Sequence, residues 1–88
     1  MSRNKTVEYR SEEQMSRSDL AAFLRRLADR VETGTVTLKR DGDDTTVQLP
    51  ERLELELTYA VKSKPKGNKH ELEIEVEWDE GSGGVGLA

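Results

Sequence analysis

The segments LELELTYAV at residues 53–61 and HELEIEVEW at residues 70–78 alternate apolar and polar side chains with a period of two. That period is typical of a β-strand with one face in water and one face buried. The intervening residues 63–69 read SKPKGNK, in which Pro65 and Gly67 favour a turn. The sequence therefore predicts a long β-hairpin whose apolar face contributes the core of the protein.

Two registers of this hairpin fit the alternation. One places Leu53 opposite Trp78, and the other places Leu55 there. We favour the second register because it sets Lys62 opposite Glu71, and opposite charges across a strand pair are stabilising. Both registers also oppose glutamates: Glu56 with Glu75 or with Glu77.

A helix is predicted over residues 17–33. Ser16 precedes it, and Asp19 follows three positions later, which is close to a capping box. Gly34 can take the left-handed conformation that ends a helix. Between these ends, apolar residues recur at helical spacing and form one stripe: Leu20, Phe23, Leu24, Leu27, Ala28 and Val31.

A shorter hairpin follows the helix. Residues 35–39 and a strand that ends at Leu49 flank Asp41-Gly42, the dipeptide most typical of a two-residue turn. Pro50 then stops the second of these strands. The turn predicts this register: Arg40 opposite Asp43, Lys39 opposite Asp44, and Val36 opposite Val47.

The elements together predict an α+β fold, an antiparallel β-sheet of about five strands in the order β-α-β-β-β-β with one amphipathic helix packed on one face. Residues 6–10, TVEYR, are expected to be the first strand, beside either the second or the fifth. We expect residues 1–80 to form a single domain. The Gly-rich residues 81–88 are expected to form a flexible C-terminal tail.

The composition is that of a small globular protein. Its 88 residues include no cysteine, which excludes disulfides and thiolate chemistry. Charged residues make up 36% of the chain, but both signs are mixed and the patterned segments are long, which favours a folded domain over disorder. No apolar run suggests a signal peptide or a membrane span. We expect a cytoplasmic protein without membrane partners.

The net charge of −4 is unevenly distributed. Residues 1–40 carry nine basic and six acidic side chains, a net of +3, whereas residues 41–88 carry five and twelve, a net of −7. The acidic half argues against general nucleic-acid binding, which depends on neutralising phosphates.

The order of elements and the residues within them resemble the small amphi-Trp domain proteins, which are common in salt-loving archaea and present in bacteria. The resemblance rests on a Ser-capped helix containing LAAFLRRLA, a glycine stop, and alternating strands that end in EVEW. The amphipathic strand and the Trp of the family name match residues 71–77 and Trp78. The resemblance spans residues 5–80. It implies the fold above and a halophilic archaeal source, and it brings no catalytic residue.

The acidic side chains of the long hairpin form a ladder that is expected to be a solvated face. Successive members of one strand lie roughly 6.5 to 7 Å apart, whereas ligands of a calcium ion must converge to about 2.3–2.6 Å from it. Partner docking is the alternative, and a specific metal site is the least favoured. The ladder contains Glu71, Glu73, Glu75 and Glu77, with Glu54 and Glu56 on the other strand.

Two sets of basic side chains and one histidine are further candidates for function. The helix arginines could contact nucleic acid, and the lysines around the long loop could contact an anion. His70 is the only histidine and is expected to be solvated. The chain has no second histidine and no cysteine that could bind a metal together with it. The sequence therefore predicts no catalytic, cofactor or metal site. The basic residues are Arg17, Arg25, Arg26 and Arg30, and Lys62, Lys64, Lys66 and Lys69.

The apolar face of the long hairpin is the predicted interface. Five strands make a sheet near 24 Å wide, and one helix about 10 Å across cannot cover it. We therefore expect a homodimer that buries the uncovered part, although another protein partner would also serve. The expected interface residues are Leu53, Leu55, Leu57, Tyr59, Leu72, Ile74, Val76 and Trp78.

The resulting hypothesis is a non-catalytic interaction module that self-associates through its apolar sheet face. The alternative, from a different class, is a nucleic-acid-associated accessory protein that uses the helix arginines.

Overall fold

A computed structural model describes residues 5–80. Its elements are helix α1 (Arg17–Thr33) and strands β1 (Thr35–Leu38), β2 (Thr45–Gln48), β3 (Glu54–Lys62) and β4 (Lys69–Glu77). The chain divides into two compact units between Leu49 and Pro50, and each is described by itself. The single domain over residues 1–80 stays a prediction, and the predicted tail lies outside the described residues.

Local capping fixes both ends of α1, and its predicted bounds are confirmed. The Ser16 hydroxyl accepts a hydrogen bond from the Asp19 amide at 3.0 Å, so one of the free N–H groups of the first turn is satisfied. Gly34 has a φ of 89°, and its amide donates to the carbonyls of Arg30 and Val31. This left-handed position is one that glycine takes without a steric penalty.

The short hairpin β1–β2 has the predicted register, with Val36 opposite Val47. The Asp43 amide donates to the Arg40 carbonyl at 2.9 Å and closes the turn. The Lys39 ammonium lies 3.7 Å from an Asp44 carboxylate oxygen, as the opposed charges predict. Helix α1 packs against β1. Val36 is the one buried apolar side chain among residues 5–80, with 9% of its surface exposed.

Residues 6–10 do not form the predicted first strand, and this expectation is wrong. The segment is irregular, and side chains rather than a backbone ladder connect it to β1. The Tyr9 hydroxyl donates to the Lys39 carbonyl at 2.8 Å, and the Arg40 guanidinium lies 4.9 Å from the centre of the Tyr9 ring. The same guanidinium donates to the Arg10 carbonyl at 3.0 Å.

The long hairpin β3–β4 forms with the register that we did not favour. Leu55 pairs with Val76 and Glu56 with Glu75, so Lys62 lies opposite Lys69 instead of Glu71. The turn provides the reason, because the Gly67 amide donates to the Lys64 carbonyl at 3.1 Å. Pro and Gly suit the positions they occupy in this turn, and an exposed ion pair contributes only about 0–1 kcal/mol against it.

The strands form two separate two-stranded antiparallel sheets, and the prediction of one five-stranded sheet is wrong while the α+β class is confirmed. Each turn specifies the pairing of the two strands that it joins. Pro50 lies between β2 and β3. It has no N–H to donate, so a strand hydrogen-bond ladder cannot continue through this position. Alternation alone carries no information on whether these two strands pair.

Replacement of the helix cap tests the first unit. Ser16→Ala removes the acceptor for the Asp19 amide, and we expect a loss of about 1 kcal/mol in the free energy of unfolding. Ser18→Ala is the matched control, because it makes the same change at the second residue of the helix, where alanine is favourable. Urea unfolding followed by circular dichroism measures both; equal effects of the two substitutions would contradict the cap.

Candidate interaction surface

The register of the long hairpin collects its apolar side chains on one face. Leu55 lies opposite Val76, Leu57 opposite Ile74, and Tyr59 opposite Leu72. All of them are exposed, from 43% for Val76 to 73% for Leu72. The hairpin is therefore an amphipathic ribbon, and we call these six residues together with Val61, Leu53 and Trp78 the apolar face.

The structure brings all eight predicted interface residues to the hairpin. Six of them lie within β3 and β4, whereas Leu53 and Trp78 immediately flank the strands at the open end. These two are also the least exposed of the eight, at 38% and 37%. They line an open cleft together with Pro50, Glu51, Arg52, Glu54, Glu77 and Asp79.

Val61 and His70 belong to the same face and were missed. They lie opposite one another next to the loop, and His70 lies within β4, as the alternation of residues 70–78 predicts. The Tyr59 hydroxyl and the His70 Nδ1 are 2.7 Å apart, and the two rings stack with centroids 6.0 Å apart. The period of two alone places both residues on this face, because the two registers considered above keep the same alternation.

The opposite face of the hairpin is acidic, as the sequence predicts. Glu56 lies opposite Glu75, and the hydrogen bond between their carboxyl groups raises the pKa of Glu56. The negative charges of Glu75, Glu77 and Glu54 act in the same direction. The hydrogen bond and the neighbouring charges both favour the protonated form of Glu56 over the ionised form.

Carboxylate oxygens of Glu56, Glu75 and Glu77 lie within 4.8 Å of one another. All three side chains are exposed, and they project from a flat two-stranded ribbon. Three carboxylates of this kind do not by themselves define a metal site, because a calcium ion takes six to eight oxygen ligands.

The basic candidates are all exposed. The arginines lie along α1, and Arg26 lines an open cleft together with Glu13 and Asp19. In the long hairpin, the Lys69 ammonium lies 3.7 Å from a carboxylate oxygen of Glu71 on the same strand.

Within residues 5–80, no helix is long and apolar enough to cross a membrane.

Comparison with known proteins identifies a family. The model of the Amphi-Trp domain matches residues 1–86. No curated protein and no solved structure matches the chain.

The acidic face generates a prediction on pH and salt. The folded state raises the pKa of Glu56, so protonation of this group favours folding. The free energy of unfolding should therefore increase as the pH falls from 7 toward the range in which glutamate ordinarily titrates. Glu56→Gln should raise the thermal midpoint at pH 7 in low salt and reduce this pH dependence. In about 1 M salt, where the Debye length is about 3 Å, the difference should largely disappear.

Glu73→Gln is the matched control, because Glu73 is on the same face but lies opposite Thr58 instead of a carboxylate. Thermal unfolding at both salt concentrations compares the two variants. A gain for Glu73→Gln as large as that for Glu56→Gln would show that the opposed pair has no particular role.

Proposed function

This chain belongs to the Amphi-Trp domain family, and for this member we propose a non-catalytic interaction module that self-associates through the apolar face of its long hairpin. The observation that carries the proposal is the exposure of this face along the whole length of β3 and β4. A two-stranded hairpin is at best marginally stable in water. It becomes stable when more strands or a packed layer cover its apolar side.

The amount of exposed apolar surface in the whole described chain supports the same proposal. Val36 is the one apolar side chain among residues 5–80 that is buried. The helix stripe is also open, since Leu20, Phe23, Leu24 and Val31 are all more than a third exposed. A domain needs the hydrophobic contribution of a core to offset the conformational entropy of its ordered residues. Burial between copies supplies that contribution.

The chemistry of the face favours a second copy as its occupant. Every formally charged residue of β3 and β4 lies on the opposite side of the ribbon, because the strands alternate strictly. A mainly apolar face without formal charges can stack on a second copy of itself without opposing like charges. Two copies related by a two-fold axis can stack such faces about 10 Å apart, as the sheets of a β-sandwich do.

Size-exclusion chromatography with light scattering tests the proposal. At micromolar concentration we expect a mass of at least twice the 9.9 kDa of one chain. Ile74→Ser should shift the protein toward smaller species, since each copy loses about 1.5–3 kcal/mol of apolar burial. Glu73→Ser is the matched control, because it alters the neighbouring residue on the opposite face and should leave the mass unchanged.

Two results would overturn the proposal. The first is a wild-type chain that elutes as a folded 9.9 kDa species throughout the micromolar range. The second is an oligomer whose mass Ile74→Ser and Glu73→Ser reduce equally, because the apolar face would then have no special part in assembly.

A further inference from the structure

The outer edge of β3 is the second surface of the long hairpin that lacks a partner. The sheet contains β3 and β4 alone, so among the described residues no strand pairs with the other side of β3. The strand is nine residues long and pairs with β4 without interruption. It contains no proline and no bulge, which are two of the features that commonly protect an edge from pairing with another chain.

We propose that β3 pairs antiparallel with β3 of a second copy, about a two-fold axis at Thr58. This proposal rests on the self-association proposed above but uses a different surface, the strand edge instead of the apolar face. The paired strands would join two hairpins into one four-stranded sheet with the order β4-β3-β3-β4. Both apolar faces would then lie on the same side of that sheet.

The charges along β3 select this register. Thr58 is the middle residue of β3, so an axis there pairs all nine residues. Glu54 then lies opposite the partner's Lys62, and Glu56 lies opposite the partner's Ala60. Leu57 lies opposite the partner's Tyr59 on the apolar side. No like charges meet, and the two ends of the strand each gain an opposed ion pair.

The outer edge of β4 cannot pair over its full length with its own copy without opposing like charges. Its middle residue is Glu73, so full-length pairing of β4 with its own copy would set Glu73 against the partner's Glu73. It would also set Glu71 against the partner's Glu75. Directly opposed like charges destabilise a sheet, and β4 is in this way protected against self-pairing while β3 is not.

The area of the apolar face supports a doubled sheet. Nine residues of strand are about 30 Å long and two strands about 10 Å wide, so one hairpin offers a projected face of roughly 300 Å². Stacking two such faces covers roughly 600 Å² of projected area, and stacking two four-stranded sheets covers about twice as much. Stable specific interfaces are large, about 1,200–2,000 Å² of accessible surface, so the doubled sheet gives the more favourable stack. Edge and face together thus predict four chains.

The absence of cysteine in the chain allows a direct test. Thr58→Cys places the new thiol opposite its own copy, where antiparallel neighbours have Cα atoms about 4.5–5.5 Å apart, within the range of a disulfide. Ala60→Cys is the matched control. Its two copies would be offset by four residues, about 13 Å along the strand, which a disulfide cannot bridge.

Each variant is oxidised in a glutathione buffer at micromolar concentration and analysed on a non-reducing gel. Thr58→Cys should form covalent dimers on the order of a hundredfold more readily than Ala60→Cys, because adjacent groups have millimolar effective concentrations. A mixture of Glu56→Cys and Ala60→Cys should cross-link as a heterodimer. In denaturing urea the difference between Thr58→Cys and Ala60→Cys should vanish. Circular dichroism of the reduced variants verifies their folding.

Failure of this proposal is distinguishable from failure of the proposed function. Thr58 lies on the acidic side, so stacking of apolar faces does not bring two copies of it together. Equal cross-linking of Thr58→Cys and Ala60→Cys would overturn the edge pairing even if Ile74→Ser dissociates the oligomer. Stronger self-cross-linking of Glu56→Cys or of Glu73→Cys than of Thr58→Cys would overturn the register or the choice of edge, since both residues also lie on the acidic side.

Discussion

A two-stranded ribbon cannot keep its own apolar side out of water, and the rest of the account follows from this constraint. The face of β3 and β4 is uncharged and mainly apolar along its length, and it is exposed in the described chain. Each fully buried side chain of this kind contributes about 1.5–3 kcal/mol, which is a large fraction of the 5–15 kcal/mol that stabilises a typical domain. The stability of the hairpin therefore depends on burial of its apolar face, and we propose that copies of the same chain bury it.

The distribution of charge limits how such copies can meet. All glutamates of the hairpin lie on one side, and the hydrogen bond between the carboxyl groups of Glu56 and Glu75, together with the neighbouring negative charges, raises the pKa of Glu56. This side remains in water. It also discourages pairing of β4 with its own copy, whereas β3 has glutamates near one end and a lysine at the other. The same residues that cost stability within one chain thus direct which surfaces are free for association.

Local signals in the sequence were sufficient for the helix and the short hairpin. Ser16 and Gly34 mark the ends of α1, and Asp41-Gly42 specifies one register, because in each case the determining contacts lie within a few residues. The register of the long hairpin is set by the turn in which the Gly67 amide donates to the Lys64 carbonyl, and the prediction gave more weight to an exposed ion pair than to this turn. Pairing beyond a hairpin is not encoded by alternation, so one sheet was predicted where two form. The eight interface residues followed from the period of two and are found together at the hairpin; their burial between copies stays a prediction.

The dependence of thermal stability on protein concentration is the most direct test of the central claim. If burial between copies stabilises the fold, the midpoint of unfolding must rise with concentration, because association acts on the folded state by mass action. Circular dichroism over about a hundredfold range of concentration measures this midpoint. We expect a continuous increase across the range. A midpoint that stays constant, with full helix and strand signal at the lowest concentration, would contradict the account.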